Sequence, residues 1–174
     1  GSDTHTLLFN DVKVPKENRI GEDGFGFTFA MKVLSGGRIG IASQALGIAA
    51  GALELSVAYS KEREAFGKKI SQHQAIAFKL ADMATDIEAA RMLCMKAANE
   101  KDRGIDISIS GAMAKLFSSK TAMDTTIEAV QIHGGNGYVS EYHVERMMRD
   151  AKITQIYEGT SEIQKIVISR GIAK

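Results

Sequence analysis

Glu158 stands in "YEGTSEIQ", residues 157 to 164, directly before Gly159 and two hydroxyl residues, Thr160 and Ser161. A carboxylate so placed has two uses. The free N–H groups of a helix starting just downstream attract negative charge, so it can be a stabilising first-turn anion. It can also be a general base, which must reach the reacting proton directly and have its pKa lifted toward operating pH by desolvation. Gly159 would give such a base its access, because a residue without Cβ lets a second molecule approach the backbone.

Two other stretches carry chemistry-bearing residues. "HGGNGY", residues 133 to 138, pairs glycines whose backbone can approach a ligand and turn N–H groups toward an anion. The same residues make an ordinary helix stop, and their spacing matches neither the P-loop nor the Rossmann fingerprint. "KEREAFGKKISQHQ", residues 61 to 74, gathers Arg63, Lys68 and Lys69 around Phe66 on a glycine-closed turn. There an arginine can grip a phosphate bidentately while the ring stacks on a planar group; a solvated charged turn is the plainer alternative. The single cysteine, Cys94, lies among Met92, Leu93 and Met95, which fits a core thiol in a reducing compartment and rules out an intramolecular disulfide. His5, His73, His133 and His143 have neither i, i+4 pairing nor a cysteine partner, so no metal site is expected.

The elements that must position these groups are mostly helical. The 174 residues suffice to bury roughly 70% of the unfolded chain's surface. Net charge is +1, with 22 basic residues scattered among 21 acidic ones, so no nucleic-acid surface is expected. The apolar run at residues 39–58 carries a G-x-x-x-G pair, Gly47 and Gly51, but Ser43, Gln44, Glu54 and Ser56 interrupt it. It fits a buried helix, and no membrane span is expected.

"HTLLFNDVKVPKENRIGEDGFG", residues 5 to 26, holds the only proline, Pro15, and has the form of a strand, a turn and a loop. A lone strand cannot stabilise itself, so this stretch looks like the end of a sheet whose other strands are missing. From Phe25 onward the period is helical. One seam runs through Ile41, Ala45, Ile48, Ala52, Leu55 and Tyr59. A second follows Ile76, Leu80, Met83, Ile87, Ala90, Cys94 and Ala97, and a third Ile109, Met113, Leu116, Met123, Ile127 and Val130, broken only at Lys120. Three such helices must bury their stripes against one another as a near-antiparallel bundle with crossing angles around 20°. Ser71 with Gln74, and Ser161 with Gln164, have the form of capping boxes. Gly104 and Asp106 fit a C-cap and the next N-cap. A short helix is expected near residues 141–148, and a last one just after Glu158.

Taken together, "GGRIGIASQALGIA", "REAFGKKISQHQ", "KLADMATDIEAAR", "AMAKLFSSKTA", "QIHGGNGYVSEYHVERMMRDAKI" and "IYEGTSEIQ" resemble, in order and approximate spacing, the C-terminal half of the acyl-CoA dehydrogenases, most closely their short-chain, butyryl-type members. The resemblance runs over essentially the whole chain. It implies an all-α fold, an antiparallel four-helix bundle over residues 25–174, preceded by a short β remnant of a middle domain at 1–24, so that the chain looks like a fragment. It also implies bundles that assemble a homotetramer, and an FAD-dependent oxidation of an acyl-CoA to a trans-2-enoyl-CoA, with electrons passed to an electron-transfer flavoprotein.

By the same resemblance Glu158 is the base and its N–H helps polarise the thioester carbonyl, while Gly159 lies against substrate and Arg38 near the CoA nucleotide. Arg63 and Phe66 match positions that hold the pyrophosphate and adenine region of FAD, and Gln74 a further FAD contact. Gln131, His133, Gly134 and Gly135 match a stretch lining FAD from a neighbouring subunit; Thr160 and Glu162 match FAD contacts after the base. Relatives that carry the base on another helix place it just before the arginine equivalent to Arg38, where this chain has Gly37. Many relatives have an aspartate three residues before that arginine, where this chain has Ser35. Two alternatives stand beside this expectation: a branched, aromatic or dicarboxylic acyl-CoA substrate, and an oligomerisation module without activity of its own. The expected compartment is the bacterial cytoplasm, with the mitochondrial matrix as the alternative.

Overall fold

The computed structural model describes residues 3–173. Helix α1 spans Gly26–Glu62, α2 Gln74–Asp102, α3 Ser108–His133, α4 Val144–Thr154 and α5 Ser161–Ile172. With no proline beyond Pro15, nothing interrupts α1 over its 37 residues, about 55 Å at 1.5 Å per residue. It is long and apolar enough to cross a membrane by length and composition alone; here it packs against α2, α3 and α4. Helix α3 is the central element, touching each of the other four. Helices α4 and α5 share the fourth side of the bundle, with a break at residues 155–160 between them.

Three apolar clusters lie along the bundle, around Ala52, Met83, Ala129 and Val144, then Ala45, Ala49, Ile87 and Ala122, then Ala42, Cys94, Ala97 and Ala114. Alanines at the contacts let helix axes approach toward the near end of the usual 8–10 Å range. The seam expected for α2 is the one observed from Met83 to Ala97. On α1 the buried positions are Ala42, Ala45, Ala49, Ala52, Ser56 and Ser60, and Leu55 is exposed. The α3 phase departs further. Its inner face is Gly111, Ala114, Lys115, Ser118, Ala122, Thr125 and Ala129, whereas Met113, Leu116 and Met123 are half-buried and Ile127 is exposed. A helix surrounded by four others is packed mainly through its small side chains; Ile132 is buried with them and Met123 and Val130 pack against the core from its edge, while Ile127 is turned outward.

Loops and caps differ from expectation in detail. Strands β1 (Glu64–Ala65) and β2 (Lys68–Lys69) pair antiparallel, Glu64 opposite Lys69 and Ala65 opposite Lys68. Phe66 and Gly67 between them both have positive φ, 52° and 77°, the geometry of a two-residue hairpin turn whose twist suits its strands. The Lys69 ammonium, 2.8 Å from the Glu64 carboxylate, pulls that carboxyl below its usual pKa. Ser71 lies in a 3-10 turn, Ile70–Gln72, and α2 starts from His73 without a side-chain cap, so the first capping box does not form. Asp106 Oδ1 accepts from the Ser108 N–H and hydroxyl, one residue before the observed N-cap, Ile107. Gly104, at φ 69°, follows the C-cap Arg103. Residues 3–24 contain one 3-10 turn, Lys16–Asn18, and no strand. The expected strand has no neighbour to pair with, and Leu7, Leu8, Phe9, Val12 and Val14 are exposed.

Candidate active site

The sequence-derived residues fall into two places. At the first, the break between α4 and α5 meets the N-terminal third of α1 and the first turns of α3. Glu158 has φ 54° and Gly159 φ 90°, so two consecutive residues are left-handed, and for glutamate that conformation is costly. The turn aims the carboxylate at α1. A Cβ at Gly37 would lie 2.5 Å from Glu158 Oε2, so only glycine leaves room for the acid there. Glu158 Oε2 and Arg38 Nε are both buried, and neither has a hydrogen-bond partner. Burial pushes the Arg38 guanidinium pKa down, against the opposing pull of Glu158, and arginine nonetheless stays charged.

Two residues that sequence reasoning missed hold this turn. Lys115, with no exposed surface, donates from Nζ to the Gly159 carbonyl at 2.7 Å. Gln164, equally buried, donates from Nε2 to the same carbonyl at 2.9 Å and to that of Glu158 at 3.3 Å. Gln164 is thus committed to the turn, and the expected Ser161 capping box is replaced by Thr160, whose hydroxyl accepts from the Ile163 N–H. Glu162, fully exposed in the first turn of α5, has its carboxyl held below the usual range by its own backbone N–H and the Thr160 hydroxyl. A signal for Lys115 was present in the sequence: Gly111, Lys115, Ser118 and Ala122 lie at spacings of four, three and four, one face of small residues interrupted by one cation.

The second place is at the far end of α1. Arg63, His133, Gly134 and Gly135 line one cleft of about 330 Å³ together with Tyr59, Ile70, Ile132 and Asn136. Nδ1 of His133 donates to the Ala129 carbonyl at 2.7 Å, and burial pushes the ring's pKa down, so the neutral ring keeps Nε2 as its acceptor. Tyr59 stacks on the ring, centroids 4.3 Å apart. Asn136 Nδ2 donates to the Tyr59 hydroxyl at 3.0 Å. Gln131 is exposed on the last turn of α3, Gln74 is exposed at the start of α2, and Phe66 projects from the hairpin tip with 96% of its surface exposed. Thr160 and Glu162 belong to the first place. Arg38 and Arg63 are 25 residues apart on α1 and its C-cap, about 37 Å along the axis. Among the described residues no group of three or more His, Cys, Asp or Glu could hold a metal ion.

Residues 24–173 match the family model described as "Acyl-CoA dehydrogenase, C-terminal domain". The chain is 56% identical over 168 residues to the short-chain-specific acyl-CoA dehydrogenase of Clostridium acetobutylicum, covering 97% of this chain and 44% of that protein. It is 50% identical over 174 residues to the caffeyl-CoA reductase-Etf complex subunit CarC of Acetobacterium woodii, covering 100% of this chain and 46% of that protein. The structure of butyryl-CoA dehydrogenase from Megasphaera elsdenii superposes with a TM-score of 0.94 at 56% identity, over 96% of this chain and 44% of that one. The chain thus spans somewhat less than half the length of the relatives it matches. With the domain model matched over residues 24–173 and a bundle that superposes this closely, the chain is a member of the acyl-CoA dehydrogenase family through that family's C-terminal domain.

Proposed function

We propose that the chain is the C-terminal part of an FAD-dependent short-chain acyl-CoA dehydrogenase in which Glu158 removes the α proton of the thioester. The observation that carries this reading is the buried Glu158 Oε2, without a hydrogen-bond partner, opposite the bare backbone of Gly37. A carboxylate oxygen that is not committed to a protein donor keeps a lone pair for proton transfer, and the absence of Cβ at Gly37 is what lets the carboxylate occupy this position beside α1. The α C–H bond breaks, the proton goes to the Glu158 carboxylate and the electron pair becomes the new C=C π bond as hydride leaves the β carbon. Bound flavin supplies the acceptor for that hydride. The Glu158 N–H is the expected donor to the thioester carbonyl, where enolate-like charge develops. Arg38 adds positive charge beside the same space.

The cleft at the far end of α1 fits the phosphate-bearing part of a dinucleotide. Arg63 has no ion-pair partner among the described residues, and a Cβ at Gly134 or Gly135 would meet nothing within 4 Å, so guanidinium and backbone are open to an anion. With about 37 Å between Arg38 and Arg63, one chain's cleft and its own Glu158 serve different flavins. That supports the reading in which Gln131, His133, Gly134 and Gly135 complete a neighbouring subunit's site within a tetramer. Ser35 Oγ donates to the Met31 carbonyl and is assigned no CoA contact. We place the enzyme in the bacterial cytoplasm, or a mitochondrial matrix, with an electron-transfer flavoprotein as its partner.

The reductase name of the Acetobacterium relative favours a second reading, reduction of a 2-enoyl-CoA, in which the β carbon receives hydride from reduced flavin and Glu158, as the neutral acid, gives the proton to the α carbon. Assay in both directions distinguishes the two. In the full-length enzyme, Glu158→Gln should lower butyryl-CoA-dependent flavin bleaching by about 10³-fold or more while the flavin spectrum is retained. Loss of flavin together with activity would instead assign this carboxylate to the fold.

A further inference from the structure

Lys115 and Gln164 are the largest side chains in the described chain with no exposure, and both end on the one turn that carries Glu158. A buried ammonium is an expensive second donor to a carbonyl that already accepts from Gln164, since taking its charge out of water carries a desolvation penalty. The charges facing it are Arg38 from α1, Glu158 on the turn and Glu162 from α5. Lys115 and Arg38 are therefore both electrostatically coupled to Glu158.

We propose that Lys115 is a positioning residue for proton transfer: its charged ammonium clamps the Gly159 carbonyl, keeps Glu158 in its left-handed conformation and holds the carboxylate opposite Gly37. The proposal rests on Glu158 being the base. Left-handed glutamate relaxes unless its surroundings over-determine it, and here two buried donors from two helices do so. Helix α3 supplies one, the first turn of α5 the other, so the turn cannot unwind without leaving Lys115 or Gln164 unpaired in the interior. Burial pushes the ammonium down to about 8, with Glu158 and Glu162 pulling it up and Arg38 pushing it further down. The clamp is charged well below that pH and weakens progressively as the pH rises through it.

The test uses the full-length, flavin-loaded enzyme and the variants Lys115→Met and Lys115→Arg. Lys115→Met should keep the flavin spectrum and leave KM little changed, lower the rate of flavin reduction roughly 10- to 100-fold, and abolish the alkaline limb near pH 8. Amide exchange in the peptide spanning residues 156–164 should quicken while other helices keep their protection. Lys115→Arg, which keeps the charge and the donors, should restore protection and move the limb to higher pH. Wild-type exchange in that peptide together with a wild-type pH profile in Lys115→Met overturns the proposal. So does a loss of rate matched by equal loss of flavin. Should Lys115→Met not fold, the wild-type enzyme decides: protection of residues 156–164, corrected for intrinsic rate, must fall selectively between pH well below and well above 8, and an unchanged ratio overturns the clamp. Exchange reports on the clamp alone, whereas retained activity in Glu158→Gln would overturn the base assignment and leave the exchange result standing.

Discussion

At the scale of single residues, the site is a contest for one small volume. Gly37 cedes the space that Glu158 Oε2 fills, and a methyl group at position 37 would lie 2.5 Å from that oxygen. Gly37→Ala is therefore expected to turn the carboxylate aside without disturbing α1, where alanine is the better helix former. Flavin reduction by acyl-CoA, followed by stopped-flow absorbance, should slow by up to about 10²-fold, as for a displacement near 1 Å, with Tm unchanged or slightly raised. Glu158 was legible because its motif joins an acid to a glycine before a helix. Lys115 was not, because the α3 seam was traced through large apolar residues, which placed Lys115 off the buried stripe. Gln164 was assigned to a capping box by its spacing from Ser161; its carboxamide instead satisfies the carbonyls of Glu158 and Gly159, which a left-handed turn leaves pointing inward.

At the scale of elements, periodicity located the three long helices and flanking stop and cap signals the two short ones; α4 runs Val144–Thr154 rather than near 141–148, and the other errors lie in rotation about the helix axes. On α2 the large and small apolar residues share a face, so the expected and buried sets agree from Met83 onward. On α1 and α3 they do not: alanine, serine and threonine pack inward, and Leu55, Met113 and Ile127 are displaced to the flanks or the surface. Hydropathy weights the large residues and so finds the edge of the buried face, where Ile48, Tyr59, Met123 and Val130 pack against the core, rather than its centre, when contact distance and not side-chain volume decides the packing. The hairpin at 64–69 was readable as a turn, but its pairing depends on φ values above zero at Phe66 and Gly67, and an aromatic residue gives no warning of that. Capping is similarly a matter of one position. Thr160, not Ser161, takes the α5 N-cap, with Oγ1 3.4 Å from the Ile163 nitrogen. That long bond is at the weak end of its class, so Thr160→Ala should cost about 0.5–1 kcal/mol, measured as a lower midpoint in denaturant with unchanged slope.

At the scale of the whole molecule, a bundle that packs through small residues leaves large ones outside. Leu93, Met113, Leu116, Phe117 and Ile168 line an open groove of about 590 Å³ between α2, α3 and α5, apolar surface of the kind that assembly covers. The resemblance to the acyl-CoA dehydrogenases implied bundles that assemble; this groove is an apolar surface of α2, α3 and α5 left open in the single chain. The rod-like separation of Arg38 from Arg63 along α1 has a genetic consequence. Two defective alleles, one encoding Glu158→Gln and the other Arg63→Ala, should rescue each other when expressed in one cell. In random two-fold pairing half the pairs are hybrid, and each hybrid has one centre built wholly from sound parts, so about a quarter of wild-type activity should return. Equal loss in the co-expressed and separate proteins would mean that each polypeptide furnishes its own centre unaided.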